Sequence, residues 1–175
     1  MNFYLIILIA ILIITTILLV FFINYTNLKK YNERMQKAED IISDNLKKKL
    51  DLIIKINEKV IKVTNKKDYL KDFVSLKEKN ISNIEKDLKL EEANRIINNL
   101  MIDYNKLNKD KDFKKFIKNL RETDELLTSS KNIFNKNALK SNSLIKKIPN
   151  NIIAKLVNYR FRSLYNNKTE GLETI

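Results

Sequence analysis

The residue types that carry most enzyme chemistry are missing from this chain. It contains no cysteine and no histidine, which excludes a thiol nucleophile, an imidazole base, a disulfide frame and an ordinary zinc site. Its one glycine is Gly171, so no glycine-rich loop can hold a nucleotide phosphate. We therefore expect no enzyme activity, no catalytic or metal-binding residue, no cofactor and no small-molecule substrate.

Two acidic residues and the threonine between them are the best remaining candidates for chemistry. Glu122 and Asp124 are carboxylates of the kind that bind a metal ion or act as an acid, but two acids without histidine make a poor site. The interpretation we favour is structural: Glu122 or Asp124 pairs with a lysine or caps a helix end, and Thr123 lies nearer the apolar side of its helix. All three stay candidate interaction or register residues.

Two asparagines form the second candidate pair. Asn135 and Asn142 are seven residues apart and therefore lie on one face of a helix. Buried amides at this spacing fix the register of a bundle by hydrogen bonding between helices. The alternative is that they line a polar cleft for a partner. Asn137, one step round the helix, is expected to be solvated.

Residues 3–23 must position everything that follows them. These 21 residues contain no charge, amide, glycine or proline, and as a helix they span roughly 30 Å, the thickness of a bilayer's hydrocarbon core. The only polar groups, Thr15 and Thr16, can bond to carbonyls one turn earlier. A buried core helix is rarely apolar on every face, and no positive region or small-residue cleavage site indicates a signal peptide. We predict a retained transmembrane anchor, residues 1–24.

The flanking charge predicts the orientation of this anchor. No lysine or arginine precedes it, whereas the four residues Lys29, Lys30, Arg34 and Lys37 follow it closely. This juxtamembrane basic group favours an outside N-terminus and a cytoplasmic C-terminal domain. The predicted location is the inner membrane of a bacterial cell, spanned once.

The net charge of +13 lies entirely outside the apolar segment. A basic balance is typical of proteins that bind nucleic acid or anionic lipid. However, 29 lysines and only five arginines favour a solvated surface, because planar recognition of phosphate or bases uses arginine. We expect nucleic acid to be an improbable partner and anionic lipid to be an open alternative. Lys47, Lys48 and Lys49, over 30 Å of helix beyond the span, are expected to form a solvated face or a partner site.

Apolar residues recur at spacings of three and four along most of the polar part, which predicts amphipathic helices. Neither proline nor glycine occurs between Met1 and Ile148, so these helices can be long. The first continues from the span to about Val63 on the stripe Leu28, Tyr31, Met35, Ala38, Ile42, Leu46, Leu50, Ile53, Ile56, Val60 and Val63. The second carries Leu70, Phe73, Val74, Ile81, Ile84, Leu88, Ala93, Ile96, Ile97, Leu100, Tyr104 and Leu107, either unbroken or with a bend near Lys89.

A third helix is predicted from about Phe113 to Lys147, interrupted on its apolar stripe by Thr123, Ser130 and Ser141. Polar residues 64–67 read as one turn with Asp68 as a cap, and residues 105–112 as another with Asn108 or Asp110 as a cap. Pro149 ends the third helix, and Asn150 or Asn151 is expected to cap a short last helix. Such helices predict an all-α antiparallel bundle of about four helices, residues 25–159, with a loosely ordered tail, residues 160–175. An intermolecular coiled coil is the alternative.

The third helix contains an ordered set of motifs that resembles the LemA family. The set comprises Leu120-Arg121-Glu122-Thr123-Asp124, Lys131, Phe134-Asn135, Asn142 and Ile148-Pro149-Asn150-Asn151-Ile152-Ile153-Ala154, with Leu46-Lys47-Lys48-Lys49 and Asp51-Leu52-Ile53 upstream. The family shows L-x-E-T-E, Arg, two Tyr-Asn pairs, F-P-x-N-x-x-A and L-K-R-R-x-D-L-I at these places. The resemblance covers roughly residues 25–159 and implies a bacterial protein with one membrane span and a helical bundle. It implies no agreed biochemical activity.

The chain departs from the family pattern at several of these positions. Ile54 stands where the family has proline, lysines replace the paired arginines at Lys48 and Lys49, and Ser141 replaces the second tyrosine. Our functional hypothesis is a non-enzymatic, membrane-anchored bundle that binds other proteins or acts as a scaffold. The alternative hypothesis is a lysine-rich module that binds anionic lipid headgroups or nucleic acid at the membrane surface.

Overall fold

The computed structural model of the protein describes residues 3–64, 68–77 and 79–165. Regular structure in these ranges is entirely helical. The helices are α1 (Phe3–Val63), α2 (Lys71–Val74), α3 (Asn83–Asp103), α4 (Lys111–Ile145) and α5 (Asn150–Leu156), with short 3-10 segments at Ser75–Lys77 and Leu107–Lys109. The all-α fold class predicted from the sequence is confirmed.

Helix α1 contains the apolar segment and continues without interruption to Val63, as predicted. Every side chain of residues 3–23 is exposed, and the hydroxyls of Thr15 and Thr16 donate hydrogen bonds to the carbonyls of Ile11 (2.7 Å) and Leu12 (2.8 Å). Within the described part of the chain, α1 is the one helix whose length and composition suit a membrane span. The candidate transmembrane helix therefore runs directly into the polar part of the protein.

Two side chains fix the starts of α3 and α4. Ser82 accepts a hydrogen bond from the backbone N–H of Glu85 (3.2 Å), which satisfies one of the free donors at the start of α3. Asp110 accepts one from the N–H of Phe113 (2.9 Å) at the start of α4. This backbone hydrogen bond and Lys59 hold the pKa of Asp110 below its usual value. Of the two predicted cap residues, Asn108 and Asp110, it is therefore Asp110 that caps the third predicted helix.

The second predicted helix is interrupted, but not where a bend was expected. Lys89 lies inside α3, whereas the break falls between α2 and Ser82. The sequence Ser82-Asn83-Ile84-Glu85 has the serine and glutamate spacing of a helix start, which is the signal that was missed. The side chain of Asp68 accepts from the N–H of Leu70 (3.2 Å) just before α2. Residues 65–67 of the predicted first turn lie outside the described residues.

The last helix, α5, ends in a backbone motif and starts without a side-chain cap. Pro149 occupies the N-cap position with no side-chain hydrogen bond, so the expected cap from Asn150 or Asn151 is wrong. At the other end Asn158 adopts φ 56°, and the N–H of Tyr159 donates to the carbonyl of Ala154 (2.8 Å). Asparagine tolerates this left-handed conformation, and the pattern is a Schellman motif.

The chain divides into two compact units. The span unit consists of Met1–Lys37 and Ile133–Leu164, and the body unit consists of Ala38–Asn132 and Tyr165–Ile175. Both units draw on α1 and α4. Residues 160–165 have no regular secondary structure, and the remainder of the predicted tail, residues 166–175, lies outside the described residues.

In the body unit α1 and α4 pack antiparallel, as the predicted bundle requires. Lys49 of α1 contacts Asp124 of α4, while Lys59, ten residues further along α1, contacts Asp110 at the start of α4. Helices α3 and α4 are also antiparallel. The buried apolar residues of α1, α3 and α4 in this unit form its core: Ala38, Ile42, Leu46, Leu50, Leu52, Ile53, Ile56, Val60, Leu90, Ala93, Ile97, Leu100, Phe113, Ile117, Leu120 and Leu127.

In the span unit a smaller apolar cluster joins the middle of α1 and the end of α4 to α5. Its buried members are Leu28, Ile145, Ile153 and Ala154, and Tyr25, Leu144 and Tyr159 pack against them. Burial of such side chains favours the packed state by roughly 25 cal/mol for each Å² of apolar surface removed from water. The short helix α5 is therefore held against the first turns of α1 that follow the apolar segment.

Candidate functional site: a buried ion-pair network

Two lysines lie inside the body unit rather than on its surface. Lys49 of α1 is 1% exposed and Lys131 of α4 is 5% exposed. An ammonium group is stable at such depth only when carboxylates and hydrogen bonds replace its water. The groups that do so come from α3 and α4, and together with the lysines they form an ion-pair network: Lys49, Asp87, Glu91, Asn94, Asp124 and Lys131.

Lys131 joins α4 to α3. Its Nζ lies 2.8 Å from Oδ2 of Asp87 and 3.2 Å from Oε1 of Glu91, one turn further along α3. Desolvation opposes the charge on Lys131, but hydrogen bonds and the negative charge of both carboxylates outweigh it, so its pKa is raised. Burial raises the pKa of Asp87, and the hydrogen bond from Lys131 opposes that rise. Asp87 is 2% exposed and thus depends on Lys131 for its ionised state.

Lys49 joins α1 to α4. Its Nζ lies 2.7 Å from Oδ1 of Asp124, and Nδ2 of Asn94 on α3 donates to Oδ2 of the same carboxylate (2.6 Å). Both oxygens of Asp124 are therefore hydrogen-bonded, by groups from two different helices. Asp124 is the residue at which α1, α3 and α4 meet.

A polar cleft of about 220 Å³ opens beside the network. Arg95, Asn98, Leu127 and Thr128 complete its lining, which therefore contains both positive and negative groups. Among the described residues, no group of three or more acidic side chains is arranged to hold a metal ion. The network contains no nucleophile poised beside a base, and its geometry suits joining helices.

The network residues occupy core positions of their helices. Lys49 lies three residues after Leu46, and Lys131 lies four residues after Leu127, so each falls on the buried stripe. In α3 the buried face runs through Asp87, Leu90, Ala93, Ile97 and Leu100, while Leu88, which the apolar spacing assigns to this stripe, is 46% exposed. A charged residue at a stripe position was the signal available in the sequence. The expectation that Lys49 lies on a solvated face or at a partner site is wrong.

The predicted Glu122-Thr123-Asp124 group separates into three environments. Thr123 is fully buried, and its hydroxyl donates to the carbonyl of Asn119 (2.8 Å). Asp124 belongs to the network, so the expected pairing with a lysine is present. Glu122 is exposed. Its Oε1 lies 3.8 Å from Nζ of Lys118, one turn earlier on α4. It lines a groove of about 550 Å³ with an apolar floor that includes Phe113.

Asn142, the second residue of the predicted asparagine pair, bonds an irregular segment rather than a neighbouring helix. Asn142 is half-buried, and its side chain both donates to the carbonyl of Arg162 (2.9 Å) and accepts from its N–H (3.0 Å). It thus binds the irregular segment after α5. Asn135 is also half-buried. Asn137 is 7% exposed and bonds the carbonyl of Ile133 (2.7 Å), so its expected solvation is wrong.

The juxtamembrane basic residues are exposed, as a headgroup-facing role requires. Lys29, Lys30, Arg34 and Lys37 all lie on the outside of α1. Lys29 makes one long contact of 3.9 Å with Glu33, a surface pair one turn away. Exposed pairs of this kind contribute little to stability.

Glu39 of α1 forms a second polar contact in the body unit. The hydroxyl of Tyr165 donates to Oε1 of Glu39 (2.6 Å), and Nδ2 of Asn83 donates to the same oxygen (3.0 Å). Burial, with the hydrogen bond to Glu39, raises the pKa of Tyr165. This contact fixes the far end of the irregular segment after α5, although its partners are 126 residues apart in sequence.

Together these features define an all-helical, membrane-associated protein whose helices are joined by buried ion pairs. The model of the LemA family matches residues 37–174, which is most of the chain. The protein belongs to the LemA family. The curated proteins and the solved structures gave no match to the chain.

Proposed function

We propose that this protein is a non-enzymatic, membrane-anchored interaction or scaffold module at the inner bacterial membrane. The observation that carries the proposal is the continuity of α1, which joins the candidate membrane span to a packed helical body without a linker. Confinement to a membrane raises the effective concentration of a protein toward other membrane partners. The activity is thus positional, and the helical body supplies the surface that partners contact.

The network supports a structural role for the buried charges and leaves the exposed surface for binding. Its lysines and carboxylates are directed at each other across α1, α3 and α4. Breaking such a pair costs several kcal/mol, roughly 3–5, because one charge then remains buried alone. We infer that the family motif residues of α4 at Asp124 and Lys131 maintain the fold of the interaction module.

Partner binding is tested with the full chain as bait in detergent extracts, with and without cross-linker. Two matched baits sharpen the result: one with residues 3–23 replaced by an unrelated apolar span, and one without residues 1–24. With cross-linker added before extraction, we expect the same partners on the natural chain and the span replacement, and fewer of them on the third bait, which is not confined to the membrane. Recovery of the bait alone in every arm contradicts the proposal.

The predicted orientation rests on the four basic residues after the span and has its own test. Because the chain has no cysteine, Lys62→Cys introduces a single label site at an exposed position of α1. A cytoplasmic body predicts labelling by an impermeant maleimide only after spheroplasts are permeabilised. Labelling of intact spheroplasts contradicts the orientation.

Binding to anionic lipid is the second candidate function, and charge distribution favours it over nucleic acid. The span unit contains eleven lysines and arginines and one acidic residue, Glu33, a net charge of +10 of the chain's +13. Basic groups next to a span are attracted to anionic headgroups by about 1 kcal/mol each near the surface. The net charge is therefore concentrated in the unit that contains the candidate span.

A further inference from the structure

The position of α5 within the span unit places it near the end of the apolar segment. Ile153 and Ala154 of α5 pack into the cluster that contains Leu28, with Tyr25 beside it. Leu28 is five residues beyond Ile23, which is about 7.5 Å of helix at 1.5 Å per residue. If residues 3–23 fill the hydrocarbon core, α5 lies at the depth of the headgroups.

The side of α5 that faces away from this cluster is apolar and uncovered. Ile152 (56% exposed) and Leu156 (71%) are one turn apart on α5, and their exposure contrasts with the burial of Ile153 and Ala154 between them. Ile148 just before the helix is 80% exposed, and Phe161 after it is 55% exposed. Four large apolar side chains on or beside this seven-residue helix are therefore exposed to water, which disfavours them, and we refer to these four as the patch.

Basic residues flank the patch residues in sequence, and no acidic residue lies among them. The exposed lysines and arginines of the segment are Lys146, Lys147, Lys155, Arg160 and Arg162. Between residues 133 and 164 the chain has no aspartate or glutamate. The Nζ of Lys146 lies 5.9 Å from the ring centroid of Phe161, so charge and apolar surface are adjacent. An apolar face bordered by lysine and arginine is the pattern of helices that lie in a membrane interface.

We propose that α5, with Ile148 and Phe161, is a second membrane contact that lies in an anionic bilayer surface beside the span. The apolar side chains enter the boundary between headgroups and acyl chains, and the five basic residues contact lipid phosphates. A lipid surface is favoured over a protein partner because the apolar patch lies close to the span and has basic residues next to it. The inference rests on the membrane anchoring proposed above, and it adds a specific lipid-binding element to it.

The geometry gives the contact a definite role. A single helix leaves a protein free to rotate about the span, whereas a second contact beside it fixes which side of the unit faces the membrane. The cluster of Leu28, Ile145, Ile153 and Ala154 transmits this constraint, because it holds α5 against both α1 and α4. Each headgroup contact is weakened by salt, while insertion of the apolar residues is not.

The test uses the full chain in lipid nanodiscs with an environment-sensitive fluorophore on a single cysteine. Leu156→Cys reports on α5, and Ile102→Cys, 79% exposed on α3 of the body unit, is the matched control. With phosphatidylglycerol present, we expect blue-shifted emission at position 156 that a quencher attached to lipid acyl chains reduces several-fold. Position 102 should show neither effect. Without anionic lipid, the quenching at position 156 should weaken.

Further variants separate lipid binding from coverage of the patch by protein. Replacing Lys147, Lys155 and Arg160 with glutamine should reduce quenching at position 156, while replacing the body-unit residues Lys114, Lys118 and Arg121 should not. Equal, quencher-insensitive emission at positions 156 and 102 overturns the proposal. Blue-shifted emission that the lipid quencher does not affect also overturns it, because the patch is then covered by protein. Comigration of the chain with nanodiscs depends on insertion of the span alone. A chain that does not comigrate therefore contradicts the membrane anchoring, whereas one that comigrates without quenching at position 156 contradicts the second contact.

Discussion

The two units use charge in opposite ways, although α1 and α4 contribute to both. The body unit has 23 basic and 20 acidic residues, and its buried lysines are paired with carboxylates inside the protein. The span unit has eleven basic residues and one acidic residue, and an apolar cluster and a backbone motif hold its short helix. Charged side chains join helices inside the first unit and remain on the surface of the second.

This difference indicates that the high lysine content has two separate consequences. In the body unit a lysine at a core position requires an acidic partner, because an ammonium group without one cannot stay buried and charged. In the span unit eleven basic residues share one acidic residue, Glu33, so ion pairing within the unit can involve few of them. Substitutions and a pH change test this contrast, in order of decreasing expected effect.

Lys131→Met should destabilise the body unit by about 3–5 kcal/mol, because Asp87 then remains buried without its partner. Urea denaturation of the full chain in mild detergent, followed by circular dichroism, measures the free energy of unfolding. Lys118→Met, which removes an exposed pair on the same helix, should cost about 0–1 kcal/mol.

If Lys131→Met does not fold, the double variant with Asp87→Leu keeps the prediction testable. Removing both charges should restore most of the lost stability, because no buried charge is then left alone. Equal stability of Lys131→Met and the natural chain would show that the network is dispensable, and the contrast between the units would fail.

Asp124→Ala should cost about 2–3 kcal/mol, since it removes the partners of Lys49 and of Asn94 together; the cost is below that of Lys131→Met because Asp124 is 32% exposed and water can replace its carboxylate. Glu122→Ala is a close control, two residues away on α4 and with an exposed lysine partner, and should cost no more than about 0.5 kcal/mol. The same denaturation assay measures both. Similar losses for the two variants would mean that position within the network does not matter.

Stability should fall above pH 10 because of Tyr165. Its folded-state pKa is raised above the unfolded value of about 10, so the proton is held more tightly in the folded state. The contribution is therefore fully present below pH 10 and is lost as the unfolded chain ionises. Between pH 9 and 11 the natural chain should lose about 1.4 kcal/mol more than Tyr165→Phe. Parallel curves for the two proteins would contradict the buried hydrogen bond to Glu39.

Asn158→Ala should have the smallest effect, about 1 kcal/mol, because alanine disfavours the left-handed φ of 56° at the end of α5. Asn158→Gly should be neutral or slightly stabilising, since glycine adopts this conformation freely. Thermal denaturation of the full chain compares the two variants. The opposite order would show that the Asn158 side chain, rather than backbone geometry, holds the end of α5.

Much of the architecture could be predicted from the sequence because it depends on local patterns. The apolar segment, the stripe of α1, the extent of α4 and the cap at Asp110 follow from hydrophobic spacing and from the hydrogen-bonding needs of helix ends. The start of α3 at Ser82 was missed because the apolar pattern of the second predicted helix continues across it. The motifs around Asp124 and Lys131 were recognised, but which side chains they contact could not be read from spacing.

The residues themselves determined that the protein is helical, contains one candidate span and lacks the side chains of common enzymes. Only the tertiary structure decided that Lys49 and Lys131 are buried, that Leu88 faces outward and that α5 packs beside Leu28. The physical reason is that helix periodicity reflects neighbours three and four residues apart, whereas an ion pair between Lys131 and Asp87 joins residues 44 apart. Partners that distant are determined by how the helices pack, so a lysine on an apolar stripe can indicate burial but does not show which carboxylate pairs with it.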